Sequence, residues 1–252
     1  MPSSGEVDLE NPTRYEQLLL AAVAELRDCP GIAVWRDEIS VEGGSEGRGG
    51  LSASQLAGEA MADAAFFPEL ENAAVGADIV IEPAIVNLSP RFRKIASYWE
   101  GVGAVGNLAG EFRVPHFYRA IFEPAPPLAW EGSGEEERQL LAQFREIDGH
   151  PKSGTGLSVS VRLQPNMTPL EIWVWDPRLG AMKMDLDYLG YLEALALTKG
   201  AYGWQYLFTD ASFIDDDFFH TAERVKSMLR VFPGIFPQYD YTDLQTRLEA
   251  RL

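Results

Sequence analysis

Residues 101–106 read GVGAVG, a literal G-x-G-x-x-G. The chemistry of that pattern is pyrophosphate binding: a strand runs into the glycines, a helix leaves them, and amides at the helix start meet the phosphates. Here the preceding stretch, PRFRKIASYWE, sets Phe92, Ile95, Ala96 and Trp99 at helical spacing, so the glycines are expected to end a helix and turn the chain. His116, His150 and His220 are the three histidines, and none forms an H-x-x-x-H or H-E-x-x-H pair. Asp215, Asp216 and Asp217 precede His220. Three consecutive residues opening a helix point in three directions and cannot readily share one ion. Their expected role is negative charge at the positive end of the helix dipole. GGSEGRGG at 43–50 lacks the Lys-Ser/Thr ending of a phosphate loop and reads as a flexible linker. Cys29, the one cysteine, has no His or Lys run nearby to stabilise a thiolate, so it is expected as a small buried residue near a helix end. There is no C-x-x-C pair. The residues predict no catalytic side chain, no cofactor and no bound metal.

The formal charge is −17, from 21 basic and 38 acidic residues. Residues 1–90 hold 4 basic and 16 acidic side chains, a net −12, and residues 91–252 carry the remaining −5. Such a field repels nucleic acid and anionic lipid and attracts basic partners, although the charge alone is also accounted for by solubility. Asp37, Glu38, Glu42 and Glu46, with Asp215, Asp216 and Asp217, are the candidate partner-binding residues. No run of about 18 apolar residues exists to span a membrane. The N-terminus is acidic and polar, unlike a signal peptide. A lone cysteine suits a reducing compartment, so a cytoplasmic protein is expected, as a monomer or small oligomer.

The elements that must position these residues are clearest at 169–200. Leu170, Ile172 and Val174 alternate with Glu171, Trp173 and Trp175; Asp176, Pro177 and Gly180 supply a turn; Met182, Met184 and Leu186 resume the alternation. The pattern predicts a β-hairpin over 170–186. Both faces of its first strand are apolar, which places it centrally in a sheet, covered on both sides, or turns its Trp face to a partner. Asp187 can cap a helix over 188–198, and Gly200 ends it after Lys199. Upstream, 11–28 reads as a helix capped by Asn11 with Leu18, Leu19, Ala22, Val23 and Leu26 on one face. Further helices are expected at 53–65, 90–99, 135–147, 215–232 and 242–252. Strands are expected at 32–35, 39–41, 79–81, 111–114 and, half-exposed, 157–163. The mixture lacks regular βαβ alternation and predicts an α+β fold, a mixed, mainly antiparallel sheet flanked by helices. Residues 1–87 read as an acidic α+β region packed on a main domain over 88–252.

The strand, D-x-x-x-G turn, returning strand, acidic cap and YLGYLEALAL helix resemble the C-terminal half of SUKH-type domains, the Smi/Knr-like superfamily. LSPRFRKIASYWEGVG followed by GEFRVPHF resembles that family's early helix, Gly-rich turn and G-x-F/Y-x-hydrophobic strand, and the likeness covers roughly residues 88–198. It implies a non-enzymatic protein-binding module, in bacteria an immunity protein neutralising a cognate toxin, often a nuclease. A basic partner of that kind suits an acidic surface. The alternatives are a regulatory scaffold and a hydrolase whose Asp/Glu pair meets only in three dimensions.

Overall fold

The computed structural model describes residues 12–40 and 79–252. Among them the chain is α+β, with two antiparallel sheets and no parallel pairing. Helix α1 (Arg14–Asp28) leads into strand β1 (Ile32–Ser40). Its cap is Thr13. The Thr13 hydroxyl accepts from the Glu16 amide at 3.2 Å, and the Glu16 carboxylate accepts from the Thr13 amide at 2.7 Å. Leu19, Ala22, Val23 and Leu26 form the buried face. Asn11 and the expected helix at 53–65 lie outside the described residues.

Helix α2 (Pro83–Leu88) stops at Ser89, and strand β2 (Lys94–Gly101) follows. The expected helix over 90–99 is therefore corrected to a strand. Pro90 disfavours helical backbone at Ser89, so Ser89-Pro90 closes a helix instead of opening one. Ile95, Ser97 and Trp99 are buried with period two, and this stretch fits both a helical and a strand pattern. Residues 79–82 precede α2 without forming the expected strand. β1 is one strand, not two; a bulge between Val34 and Arg36 inserts Trp35, which is 66% exposed.

The GVGAVG glycines end β2 and make a 3₁₀ turn at Gly103–Val105, from which β3 (Ala109–Pro115) returns antiparallel. They stop a strand, not a helix. A Cβ on Gly101 would lie 1.9 Å from the Val105 carbonyl oxygen, and Gly103 has φ +59°. The turn's own packing thus requires glycine. No helix leaves this turn, so it offers no dipole to a pyrophosphate.

Helix α3 (Phe117–Phe122) and α4 (Glu135–Ala142) precede the second sheet: β4 (Phe144–Gly149), β5 (Ser158–Arg162), β6 (Glu171–Asp176) and β7 (Gly180–Lys183), in that order. The helix expected to run to Ile147 ends at Ala142, because Phe144, Ile147 and Asp148 turn into the core as strand residues. β5 is buried on both faces, not half-exposed: Val159 and Val161 pack in the core, and Ser158 and Ser160 are covered on the other side. The β6–β7 hairpin matches the expected one, with Ile172 and Val174 fully buried and Trp173 and Trp175 half-buried.

Helix α5 (Tyr188–Thr198) is capped by Asp187, whose carboxylate accepts from the Gly190 amide at 2.7 Å. Lys199 closes it in the left-handed region. α5 packs on α1. Residues 199–202 then lie along β3: Gly200 O accepts from the Glu111 amide at 3.0 Å, and the Tyr202 amide donates to Ala109 O at 3.0 Å. A 3₁₀ segment (Trp204–Phe208), a 3₁₀ turn (Asp216–Phe218), α6 (Phe219–Ile235) and α7 (Thr242–Glu249) complete the chain. One hydrophobic cluster runs from α1 through both sheets to α7. The β1–β2 ladder crosses the residue 87/88 boundary drawn from sequence.

Candidate functional site

The sequence-selected carboxylates fall into two settings. On β1, Asp37 pairs with Arg27. Glu38 sits between Arg36 at 3.0 Å and Lys94 at 2.6 Å. Burial would raise the Glu38 carboxyl pKa, but hydrogen bonds from Lys94 and Arg36 outweigh it and hold the group below its usual range. These acids are neutralised within the protein. Glu42 and Glu46 lie outside the described residues.

Asp215, Asp216 and Asp217 are exposed, and none has an ion-pair partner within 4 Å among the described residues. The local fold makes them a ridge. Phe213 and Phe218 are buried and stack 5.9 Å apart, and Phe218 meets Tyr206 edge-on at 5.2 Å. The Phe213 amide donates to Arg251 O at 3.0 Å, tying the ridge to the end of α7. With these anchors inward, the residues between and beside them face out. Ile214 is 71% exposed and Phe219 60% exposed. The three acids precede α6 as expected, although a 3₁₀ turn occupies 216–218 and the α-helix itself starts at Phe219.

Beside the ridge lies a cleft of about 390 Å³. Its wall is buried and comprises His150, Leu157, Asp176 and Tyr206; its rim is exposed and includes Arg178, Asp217, His220 and Arg224. Asp176 accepts from the Tyr206 hydroxyl at 2.6 Å and from the Arg178 amide at 2.7 Å. Burial would raise its pKa, but these bonds and the Arg178 guanidinium hold it below the usual carboxylate range. Burial lowers the His150 pKa to about 4, so its imidazole is neutral at pH 7. His150 Nδ1 is 3.2 Å from Thr155 Oγ1, and its Nε2 has no hydrogen-bond partner among the described residues. Sequence reasoning missed this cleft because its lining comes from four separated stretches; the only local signals were the loop at 149–156 and the turn at 176–180.

Other buried charges join elements. Glu16 accepts from the Arg91 amide at 2.8 Å and from its guanidinium at 2.7 Å. Glu111 accepts the Lys152 and Ser153 amides at 2.6 and 2.8 Å. Lys199, fully buried, reaches Glu25 at 2.7 Å and lies 4.2 Å from the Tyr239 ring centre. Asp148, on β4, accepts from the Arg113 amide of β3 at 2.6 Å and from the Tyr191 hydroxyl of α5 at 2.6 Å, joining the two sheets to the helix. Burial outweighs these bonds and raises its pKa to about 7. His116 is likewise lowered to about 4 by burial. Cys29 is half-buried, not buried as expected. Among the described residues, no group of three His, Cys, Asp or Glu is placed to hold a metal. No helix among them is long and apolar enough to cross a membrane.

No family model, curated protein or solved structure matches this chain.

Proposed function

We propose that the protein is a non-enzymatic cytoplasmic binding module that docks a basic protein, in the manner of a SUKH-type immunity protein neutralising a cognate toxin. The observation that carries this reading is the ridge at 214–219: three carboxylates without ion-pair partners among the described residues, flanked by exposed Ile214 and Phe219. Large apolar side chains at the centre of an interface supply most of its affinity. Unpaired charges around them speed encounter with an oppositely charged surface. A nuclease must present cations to phosphates, so its site is a fitting counterpart. The acidity at 1–11 and 41–78 in the sequence adds to the net negative charge of the chain. The hydrolase alternative draws less support, since Asp176, the buried carboxylate of the cleft, is already engaged by Tyr206 and Arg178.

The test is affinity capture from the source cells with three baits: the native protein, the Asp215→Lys/Asp216→Lys/Asp217→Lys variant and the Asp37→Lys/Glu38→Lys variant. The expected result is one basic protein retained by the native and β1-variant baits and lost from the ridge variant, with association slowing as salt rises. A partner with an acidic docking surface, or one indifferent to the ridge reversal, overturns the proposal.

A further inference from the structure

The cleft beside the ridge carries two arginines on its rim, a feature independent of partner docking. In a chain of net charge −17, Arg178 and Arg224 stand together on its rim. Arg224 has no ion-pair partner among the described residues. A second hollow of about 250 Å³ shares His220 and Arg224 with the cleft and adds Lys226 and Arg230, so cations continue along one face of α6. Three acids oppose them: Asp176 in the wall, already engaged by Arg178 and Tyr206, Asp217 on the rim, and Glu223, which pairs with Lys226 at 3.0 Å.

The buried wall supplies a donor. Thr155 Oγ1 accepts from the Leu157 amide at 3.3 Å and is in reach of the Ser153 hydroxyl at 3.5 Å. Its own proton is therefore free to point at His150 Nδ1, 3.2 Å away. That arrangement leaves the hydrogen of the neutral imidazole on Nε2. His150 is 4% exposed and lines the cleft, and its Nε2, which has almost no surface open to solvent, meets no acceptor among the described residues. A buried N–H without an acceptor is unfavourable, and a turn of the ring toward an oxyanion in the cleft relieves it. The volume, about 390 Å³, suits a metabolite-sized molecule. Leu157 and the rings of Tyr202 and Tyr206 offer apolar surface to the rest of it.

We infer that this cleft binds a small phosphate-bearing molecule, its phosphate held between His150 Nε2–H and the Arg224 guanidinium. The experiment is titration calorimetry of the full chain with inorganic phosphate and with a nucleoside monophosphate. In parallel, imidazole nitrogen NMR of His150 in the native protein follows the wall donor without a mutation. The expected result is saturable binding with a shifted His150 Nε2 resonance, weakened about tenfold by Arg224→Glu, which removes a charge-assisted contact at an exposed position. Tighter binding of the monophosphate assigns an ester as ligand, and equal affinity assigns free phosphate. Absence of heat and of any His150 shift up to about 10 mM of either probe overturns the inference, and so does an affinity unchanged by Arg224→Glu.

Discussion

Asp37 and Glu38 on β1 and Asp215–Asp217 before α6 look alike as sequence, short acidic runs beside aromatic residues, yet they differ in what surrounds them. On β1 the guanidinium of Arg27 and the ammonium of Lys94 come from neighbouring elements and close the charges off. Before α6 the neighbours are Ile214 and Phe219, Arg178 and Arg224 share the cleft rim with Asp217 alone, and none of the three carboxylates is ion-paired within 4 Å among the described residues. An acidic count does not locate a docking surface; the cations that fold beside it decide whether the charge is available.

The largest expected effect is on the open cluster. Reversing Asp215, Asp216 and Asp217 to Lys should slow association with a basic partner by roughly 10- to 1,000-fold at low salt, measured by stopped-flow or surface binding. The same reversal at Asp37 and Glu38 should move the rate far less. Equal effects at the two places would abolish the distinction. Next, Phe219→Ala should weaken binding by about 2 kcal/mol, mainly through faster dissociation, with the melting temperature unchanged because the ring is exposed. A fall in melting temperature instead would make Phe219 a packing residue.

Asp148 is the extreme case of an enclosed carboxylate, and it sharpens the comparison through pH. Its pKa is 3.8 as an ordinary side chain and about 7 in the fold. The folded state therefore binds the extra proton between those values. The group's contribution to stability is fullest below the lower one and is lost as pH rises through the upper one. Urea unfolding across that range should show this decline, and Asp148→Asn should flatten it. An unchanged slope in the variant would assign the pH dependence elsewhere. The smallest effects belong to β1. Glu38→Lys should cost about 1 kcal/mol, since it sets a cation beside Arg36 and Lys94. Asp37→Ala should cost under about 0.5 kcal/mol in the same unfolding assay, because its Arg27 partner is solvent-screened.

The hairpin at 171–183 and helix α5 were legible because each local signal agreed: alternation, turn residues and the Asp187 cap. Residues 94–101 misled because Ile95, Ala96 and Trp99 satisfy a helical period while Ile95, Ser97 and Trp99 satisfy a strand, and only pairing with β1 and β3 selects between them. β5 hid its second buried face behind serines, which read as solvent-facing until Glu146 and its neighbours cover them. At the candidate site the acids at 215–217 were visible, but the outward turn of Ile214 and Phe219 was not. It depends on Phe213 and Phe218 pointing inward, a contact with Tyr206 that no local spacing encodes. Likewise, the neutralisation of Glu38 needed Lys94, 56 positions along the chain.

Helix α1 rests on α5, with Tyr15 bonded to Glu193 at 3.2 Å and Glu25 to Lys199 at 2.7 Å. Between the end of one helix and the start of the other lie about 160 residues of synthesis, roughly 10–30 s on the ribosome at ordinary elongation rates. Throughout that interval α1 can pack on β1 and β2 but lacks the cover of α5. β1 likewise waits for β2. The nascent chain therefore carries part of the α1 apolar face uncovered until residue 188 and beyond emerge, the kind of transiently exposed surface that holding chaperones bind and that aggregates when translation stalls.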